Sequence, residues 1–298
     1  ANAPQEPYLI VGGGSNLLLT RNFNGTVLHV DIKGMEAQAS GNSILLRCGT
    51  GEVWDEVVAQ CVDNGWHGAE NLSLIPGTVG ASAVQNIGAY GVEVKDLIEE
   101  VEAVEIATGK TIRISNDDCH YTYRQSRFKN EWHNKYLITH VTYRLSTQFC
   151  PKLDYGNIRT ELMRRGIVEP TAHELRQTIV DLRNQKLPDV KQQGNAGSFF
   201  VNPIIARTQF AELQQRYPDA PHYDVDPQNV KIPAGWLIEK AGWKGRSKGR
   251  AGVHSKQALV LVNLGGATGQ EVLDLCQTIR KDVKSMFNID IQPEVNII

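Results

Sequence analysis

Short apolar runs separated by polar turns predict a strand-rich first half of the chain. Tyr8 to Val11 is an uninterrupted apolar run, and comparable runs recur between glycine-containing and polar segments. The predicted strands cover residues 8–11, 26–32, 43–47, 101–106, 111–114 and 136–145. The fourth and fifth of these form a hairpin across Thr108 and Gly109. We therefore expect an α+β unit up to about residue 150.

A helical periodicity interrupts these strands over residues 52–63. Asn64 and Gly65 follow it and are typical of a helix end. The apolar residues predicted to share its inward face are Val53, Trp54, Val57, Val58, Cys61 and Val62.

The second half of the chain contains longer amphipathic segments with clear helix starts. Thr171-x-x-Glu174 and Thr268-x-x-Glu271 are capping boxes. The first predicts a helix to about Gln185 with Leu175, Ile179 and Leu182 inward, and the second a long helix with Val272, Leu275, Ile279, Val283 and Phe287 inward. Further predicted elements are helices at 208–217 and 234–241, a strand at 257–263, and a tail strand at 289–298 that returns to the first unit.

Residues 75–91 contain no charged side chain and are rich in Gly, Ala and Ser. A buried strand or helix normally uses large branched side chains, whereas a run of small residues allows the backbone to approach a flat, bulky group. Residues 12–16 and 194–200 have the same character. Each run alone is equally typical of a tight turn, but three such runs favour a cofactor site.

The first of these runs directly follows a predicted strand, which is the geometry of a phosphate-binding loop. Gly12 and Gly14 lack the third glycine of the dinucleotide fingerprint, and the chain has no Gly-x4-Gly-Lys-Ser/Thr motif. The common nucleotide-binding motifs are therefore absent from the sequence.

Composition excludes several functional classes. The chain has 298 residues, 41% of them apolar, and a net charge of −2, which is typical of a soluble globular protein with two or three units. This balance argues against a nucleic-acid binder, and the sequence lacks a membrane-spanning run and a signal pattern, so we expect a cytoplasmic protein. Its five cysteines are scattered without Cys-x-x-Cys, and its histidines lack metal-ligand spacing, so we expect no metal site.

Single polar residues suggest chemistry. Ser198 lies between a glycine and two phenylalanines; such a serine is usually a turn residue, and no Gly-x-Ser-x-Gly elbow supports a hydrolytic triad. A rigidly held hydroxyl in a dry pocket could instead donate a proton during reduction of a double bond. Arg124 suits bidentate capture of a carboxylate, although a solvated loop is the alternative.

Two further features each have a functional and a non-functional interpretation. Glu294 could polarise a carboxylate or relay a proton if it is buried beside an arginine, but most such residues face water. A glycine-punctuated basic loop could attract a diphosphate or simply be solvated. The cations of this loop are Lys240, Lys244, Arg246, Lys248 and Arg250.

Taken in order, eight motifs resemble those of the UDP-N-acetylenolpyruvoylglucosamine reductase (MurB) family of bacterial flavoenzymes. They span nearly the whole chain, and the segment from Leu153 to Asn157 resembles the family's type I branch. The motifs are Gly12 to Asn16, Asn71 to Gly77, Gln85 to Gly91, Tyr123 to Lys129, Lys186 to Asp189, Gly194 to Pro203, Ala234 to Ile238 and Pro293 to Val295.

The resemblance implies a vanillyl-alcohol-oxidase-like (PCMH-type) FAD-binding fold in two subdomains with a third α+β substrate-binding domain. The implied division is residues 1–32 with 288–298, residues 33–187, and residues 188–287. The family's activity is reduction of UDP-N-acetylglucosamine enolpyruvate to UDP-N-acetylmuramate for peptidoglycan synthesis. NADPH reduces FAD, and hydride passes from flavin N5 to C3 of the enolpyruvyl group. A monomer without a nucleic-acid or membrane partner is expected.

By motif position, the resemblance also implies the roles of individual residues. Ser198 would protonate C2, while Arg124 and Glu294 would stabilise the developing charge. Substrate would be held by Tyr155, Lys186, Asn202 and Tyr223. FAD would contact Gly12, Gly13, Gly14, Ser15, Asn16, Pro76, Gly77, Thr78, Gly80, Ala81, Ser82, Gln85, Asn86, Gly88, Ala89, Tyr90 and Gly91.

The sequence departs from the family pattern at its start. Residues 1–7 alone precede the first predicted strand, whereas family members carry a longer segment there. Either the sequence is truncated, or the first flavin subdomain is incomplete and FAD affinity is reduced. The competing functions are another FAD oxidoreductase of the same fold and a flavin-less nucleotide-sugar-binding protein.

Overall fold

The computed structural model describes residues 7–298, which contain mixed α and β structure. The helices are α1 (Trp54–Asp63), α2 (Val79–Gln85), α3 (Ile158–Arg164), α4 (Ala172–Lys186), α5 (Arg207–Arg216), α6 (Ala234–Lys240) and α7 (Gly269–Phe287). The strands are β1 (Tyr8–Val11), β2 (Leu17–Leu18), β3 (Thr26–His29), β4 (Met35–Ser40), β5 (Ser43–Gly49), β6 (Gly88–Ala89), β7 (Val92–Glu93), β8 (Ile98–Glu105), β9 (Thr111–Ser115), β10 (Tyr136–Ser146), β11 (Asn195–Ser198), β12 (Ile204–Ala206), β13 (Tyr223–Asp224), β14 (Asn229–Lys231), β15 (Ser247–Lys248), β16 (Ala251–Val253), β17 (Val260–Asn263) and β18 (Asn296–Ile297).

The chain divides into two compact units. Among the described residues, unit 1 comprises residues 7–15 and 24–183, and unit 2 comprises residues 16–23 and 184–298. The three-domain boundaries inferred from the resemblance stay predictions, and residues 1–6 of the first implied domain lie outside the described residues.

Unit 1 is built on a five-stranded antiparallel sheet in the order β4-β5-β10-β8-β9. The predicted hairpin at Thr108 and Gly109 is confirmed, because β8 pairs with β9. Helices α1 and α2 bury apolar side chains in the same core cluster as this sheet, which includes Trp54 and Tyr143 in edge-on ring contact. Burying these aromatic and aliphatic groups supplies most of the stabilisation of such a unit.

The first helix shows both the strength and the limit of periodicity. Trp54, Val57, Val58, Cys61 and Val62 are buried, as predicted. Val53 was expected on the same face, but it is the N-cap residue and is 40% exposed. Its extended backbone pairs with Thr78 before the helix begins, so it does not share the helical repeat.

Unit 2 contains a four-stranded sheet in the order β11-β17-β16-β15, a three-stranded sheet, and helices α5 to α7. The predicted capping box of α7 is present: the Thr268 side chain accepts from the Glu271 amide, and Glu271 accepts from the Thr268 amide. Leu275, Ile279 and Val283 on this helix are fully buried, which confirms the predicted inward face. The tail strand is shorter than predicted, since β18 spans two residues and pairs in parallel with β2.

Candidate flavin and substrate site

The glycine turn after β1 presents backbone donors. Within residues 7–298, the amide N–H groups of Gly12, Gly13, Gly14 and Ser15 have no hydrogen-bond acceptor. Gly14 adopts a left-handed backbone (φ 67°), which glycine reaches without strain. Consecutive free amides in such a turn form a concave anion-binding surface.

A second set of free amides lies beside this turn. A Cβ placed on Gly13 would lie 3.6 Å from the Gly77 Cα, and the Ser15 hydroxyl donates to the Pro76 carbonyl at 3.3 Å. Across the described residues, the amides of Gly77, Thr78 and Ala81 also have no acceptor. Two segments of unit 1 that are distant in sequence thus bring unbonded donors together. This donor set fits the diphosphate of FAD, whose oxygens need several hydrogen bonds.

The side-chain-poor run 75–91 contains the helix α2, which the sequence pattern did not predict. Some of its small residues serve internal packing. A Cβ at Gly80 would overlap the Thr50 hydroxyl. The Ser82 hydroxyl donates to the Val79 carbonyl and lies 3.0 Å from the Tyr143 hydroxyl. Small side chains at these two positions are therefore explained within the unit, and their roles toward FAD stay predictions.

Arg124 lies against the end of the same run. It adopts a left-handed backbone (φ 58°), and its guanidinium donates to the carbonyls of Asn86 (3.4 Å) and Gly88 (2.6 Å). The structure therefore brings the predicted carboxylate-binding arginine to the predicted flavin-binding segment, within one unit.

Tyr155 also lies beside this segment. A Cβ added to Gly91 would lie 3.2 Å from the Tyr155 Cβ, and one added to Gly156 would lie 3.9 Å from the Tyr90 ring. The predicted substrate tyrosine and the last residues of the run are thus neighbours.

Arg183 is a site candidate that the sequence reading missed. Burial lowers the pKa of its guanidinium and raises the pKa of Tyr90, with which it interacts electrostatically. Arg124 is close enough to lower the pKa of Arg183 further. The Arg183 Nε is buried and has no acceptor among residues 7–298. Its position three residues before Lys186, on the same face of α4, was the available signal.

In unit 2, Ser198 and Glu294 lie on adjacent chain segments. The Glu294 amide donates to the carbonyl of Phe199, the residue after Ser198, at 2.8 Å. The Asn16 side chain donates to the Glu294 carbonyl at 3.3 Å. Ser198 ends β11 and is exposed. A dry pocket around its hydroxyl stays a prediction. Phe199 and Phe200 point into the core instead and are both 1% exposed.

The other predicted substrate residues occupy different places in unit 2. Asn202 accepts a hydrogen bond from the Ala234 amide through its side-chain oxygen at 2.9 Å, which ties it to the start of α6. Tyr223 is 37% exposed and has the Lys231 ammonium 5.8 Å from its ring centre. Lys186 is exposed at the end of α4.

The basic loop favours the solvated alternative. All five of its cations have partners: Lys244 pairs with Glu239, Lys248 with Thr278 and Arg250 with Glu271, while Lys240 lies over the Trp236 ring and Arg246 over the Trp243 ring. Its charge is therefore partly neutralised within unit 2.

Over residues 7–298 we find neither a group of three or more potential metal-ligating side chains nor a helix long and apolar enough to cross a bilayer. All five cysteines are free thiols, and burial raises the pKa of Cys61 to about 12.

Two family matches divide the chain between them. Residues 1–115 match the FAD binding domain family, and residues 189–298 match the C-terminal domain of UDP-N-acetylenolpyruvoylglucosamine reductase. These matches confirm the predicted FAD-binding fold class.

Relatives that match nearly the whole chain belong to the same family as these two matches indicate. A UDP-N-acetylenolpyruvoylglucosamine reductase of Bacteroides fragilis is 53% identical over 98% of this chain and 88% of its own. One of Porphyromonas gingivalis is 48% identical over 97% of this chain and 85% of its own. The crystal structure of the reductase from Thermus caldophilus has a TM-score of 0.64 and 23% identity, covers 98% of this chain and 85% of that one, and shows the shared fold. The chain therefore belongs to the UDP-N-acetylenolpyruvoylglucosamine reductase family.

Proposed function

We propose that this chain reduces UDP-N-acetylglucosamine enolpyruvate to UDP-N-acetylmuramate with FAD as cofactor and NADPH as reductant. The observation that carries the proposal is the similarity, over nearly the full chain, to relatives named UDP-N-acetylenolpyruvoylglucosamine reductase. The glycine turn and the arginines of unit 1 support it with matching chemistry.

The turn at Gly12 to Ser15 and the amides at Gly77, Thr78 and Ala81 would hold the diphosphate of FAD. When bound, FAD supplies the hydride that reaches C3 of the enolpyruvyl group. Pro76, Ala89 and Gly91 would contribute backbone surface beside the ring system. Small residues are useful there because they let backbone approach a planar group closely.

Arg124 would bind the enolpyruvyl carboxylate. Hydride arrival at C3 places negative charge on C2 and, by conjugation, on the carboxylate oxygens. A guanidinium at that position is worth more in the transition state than in the ground state. We include Arg183 as a second cation, because its buried Nε lacks an acceptor and it interacts electrostatically with Arg124. An anionic ligand would satisfy the Arg183 Nε.

Ser198 would supply the proton that C2 needs, since it is an exposed hydroxyl-bearing residue at the end of β11. Glu294 would help stabilise the charge and restore the Ser198 proton, because it lies on the chain segment bonded to Phe199. Tyr155, Lys186, Asn202 and Tyr223 would hold the nucleotide sugar. Hydride and proton together balance the saturation of one carbon–carbon double bond.

We further propose a monomer that works in the cytoplasm. The five free thiols suit a reducing compartment. Its product would enter peptidoglycan precursor synthesis.

The experiment is an anaerobic two-step reaction with purified protein. Flavin absorbance should bleach on addition of NADPH and return on addition of UDP-N-acetylglucosamine enolpyruvate, with formation of UDP-N-acetylmuramate. Bleaching that is reversed by oxygen but not by the enolpyruvyl compound would indicate another flavin oxidoreductase. A colourless protein that binds the nucleotide sugar and cannot be reconstituted with FAD would indicate a binding protein.

A further inference from the structure

The backbone around Arg124 is held in an unusual conformation by a neighbouring segment. Arg124 is one of few non-glycine residues between residues 7 and 298 with a positive φ. Such a conformation costs about 1 kcal/mol or more and persists where the surroundings fix it. Thr122 and Gln125 bond to each other through their amide and carbonyl groups on either side of it. We call residues 122–125 the arginine turn.

Asn86 is the residue that fixes this turn. Its side-chain amide donates to the Thr122 carbonyl at 2.9 Å and to the Glu93 carboxylate at 2.6 Å, and its side-chain oxygen accepts from the Lys95 amide at 3.1 Å. Asn86 is 0% exposed. Because both amide hydrogens and the carbonyl oxygen are used, the side chain has one orientation.

Asn86 also contacts the other end of Arg124. Its backbone carbonyl accepts from the Arg124 Nη1, and Gly88 accepts from Nη2. Asn86 itself has φ 44°, a left-handed conformation that asparagine tolerates better than most residues. Residues 86–88 therefore hold both the backbone around Arg124 and the guanidinium at the end of its side chain.

Ser126 adds a second connection of the same kind. Its hydroxyl donates to the Val84 carbonyl at 2.5 Å, and Ser126 is 1% exposed. Val84 belongs to α2, within the segment proposed to face FAD. The arginine turn is therefore attached to that segment on both sides of Arg124.

We propose that Asn86 is a positioning residue that sets the guanidinium of Arg124 for the enolpyruvyl carboxylate. The inference rests on the proposed function for the role of Arg124. Asn86 acts through its hydrogen bonds to the arginine turn and contributes no charge of its own. The alternative role for its side chain, direct contact with FAD, is disfavoured because every polar atom is already bonded inside unit 1.

Asn86→Ala and Asn86→Asp test this, with Asn116→Ala as the matched control. The Asn116 side chain also donates two hydrogen bonds to backbone carbonyls of unit 1, those of Lys95 and Ile98, but none to the arginine turn. Asn86→Asp keeps the acceptor for Lys95 and loses the bond to Thr122, and it is combined with Glu93→Gln so that two carboxylates do not face each other. This pair retains the proposal's test if the alanine variant does not fold.

The first readout is hydrogen exchange of the Thr122 and Gln125 amides, which needs no catalysis. We expect exchange about tenfold faster or more in either Asn86 variant and unchanged exchange in the control. The second is the rate at which enolpyruvyl substrate reoxidises reduced flavin, expected to fall about tenfold or more while reduction by NADPH stays within about twofold.

The decisive readout is a double-mutant cycle. If Asn86 acts through Arg124, Asn86→Ala combined with Arg124→Lys should reoxidise no more slowly than Arg124→Lys alone. Multiplied losses, equal slowing of both half-reactions, or unchanged exchange at the arginine turn would overturn the positioning role. Absence of enolpyruvyl-dependent reoxidation in the unmodified chain would instead refute the proposed function.

Discussion

Arg124 lies close enough to Arg183 for their two positive charges to repel each other. Burial, the larger cause, and the nearby charge of Arg124 both lower the pKa of the Arg183 guanidinium. Within the described residues, no carboxylate lies within ion-pair distance of Arg183, although Asp55 acts on it from further away. Two neighbouring guanidinium groups of this kind are expected where a protein binds an anion.

We predict that Arg183→Met weakens binding of the enolpyruvyl substrate about tenfold without loss of thermal stability. Removing the guanidinium breaks no ion pair, because Arg183 has none among the described residues. Burying a methionine side chain also costs less free energy than burying a charged guanidinium. KM and the melting temperature, measured on the same preparation, check this. Arg176→Met is the control, because Arg176 on the same helix pairs with Asp55 at 3.0 Å and should show the opposite result, lower stability with KM retained.

We predict that Arg124→Lys lowers enolpyruvyl-dependent turnover about 10- to 100-fold. A lysine ammonium keeps the charge but cannot donate to the Gly88 carbonyl and a carboxylate in the planar geometry of a guanidinium. Rapid-mixing measurement of flavin reoxidation tests this, with flavin reduction by NADPH as the internal control. Turnover equal to that of the unmodified protein would remove Arg124 from the mechanism.

We predict that Ser198→Ala leaves reduction of flavin by NADPH intact and abolishes most product formation, by about 100-fold or more. The loss follows because C2 then has no positioned proton donor. Ser255→Ala, an exposed serine of the same unit, should behave as the unmodified protein. Equal losses in the two half-reactions would contradict a proton-donor role for Ser198.

We predict that Gly80→Ala destabilises the protein by about 1 to 3 kcal/mol, because the added methyl group overlaps the Thr50 hydroxyl. Thr50→Ala in the same chain should recover part of this loss by removing the overlapping group. Urea unfolding of the single and double variants measures both effects. A Gly80→Ala protein as stable as the parent would show that this glycine is not required for packing of α2.

The sequence predicted helices α1 and α4 to α7, but it did not predict α2, α3 or strand β4. The α7 capping box and its buried face were predictable, since both depend on residues three or four positions apart. The helix α2 was missed because Gly80 and Ser82 resemble cofactor-facing residues. In the structure they are small because they pack against Thr50 and Tyr143 of the same unit. Such contacts have no trace in local periodicity.

In the candidate site, too, local motifs were predictable from the sequence and long-range contacts were not. The glycine turn and Arg124 were recognisable from motifs, but the contact between Asn86 and the arginine turn joins residues 36 positions apart. Arg183 was missed because its single indication was its spacing from Lys186. Burial of a charge is decided by the packing around it, which the one-dimensional pattern does not contain.

The most direct test of the account is an anaerobic titration of the FAD-loaded protein after reduction with one equivalent of NADPH. The account predicts that one equivalent of UDP-N-acetylglucosamine enolpyruvate restores the oxidised flavin spectrum and yields one equivalent of UDP-N-acetylmuramate. A reduced flavin that remains bleached in the presence of excess enolpyruvyl substrate would contradict it.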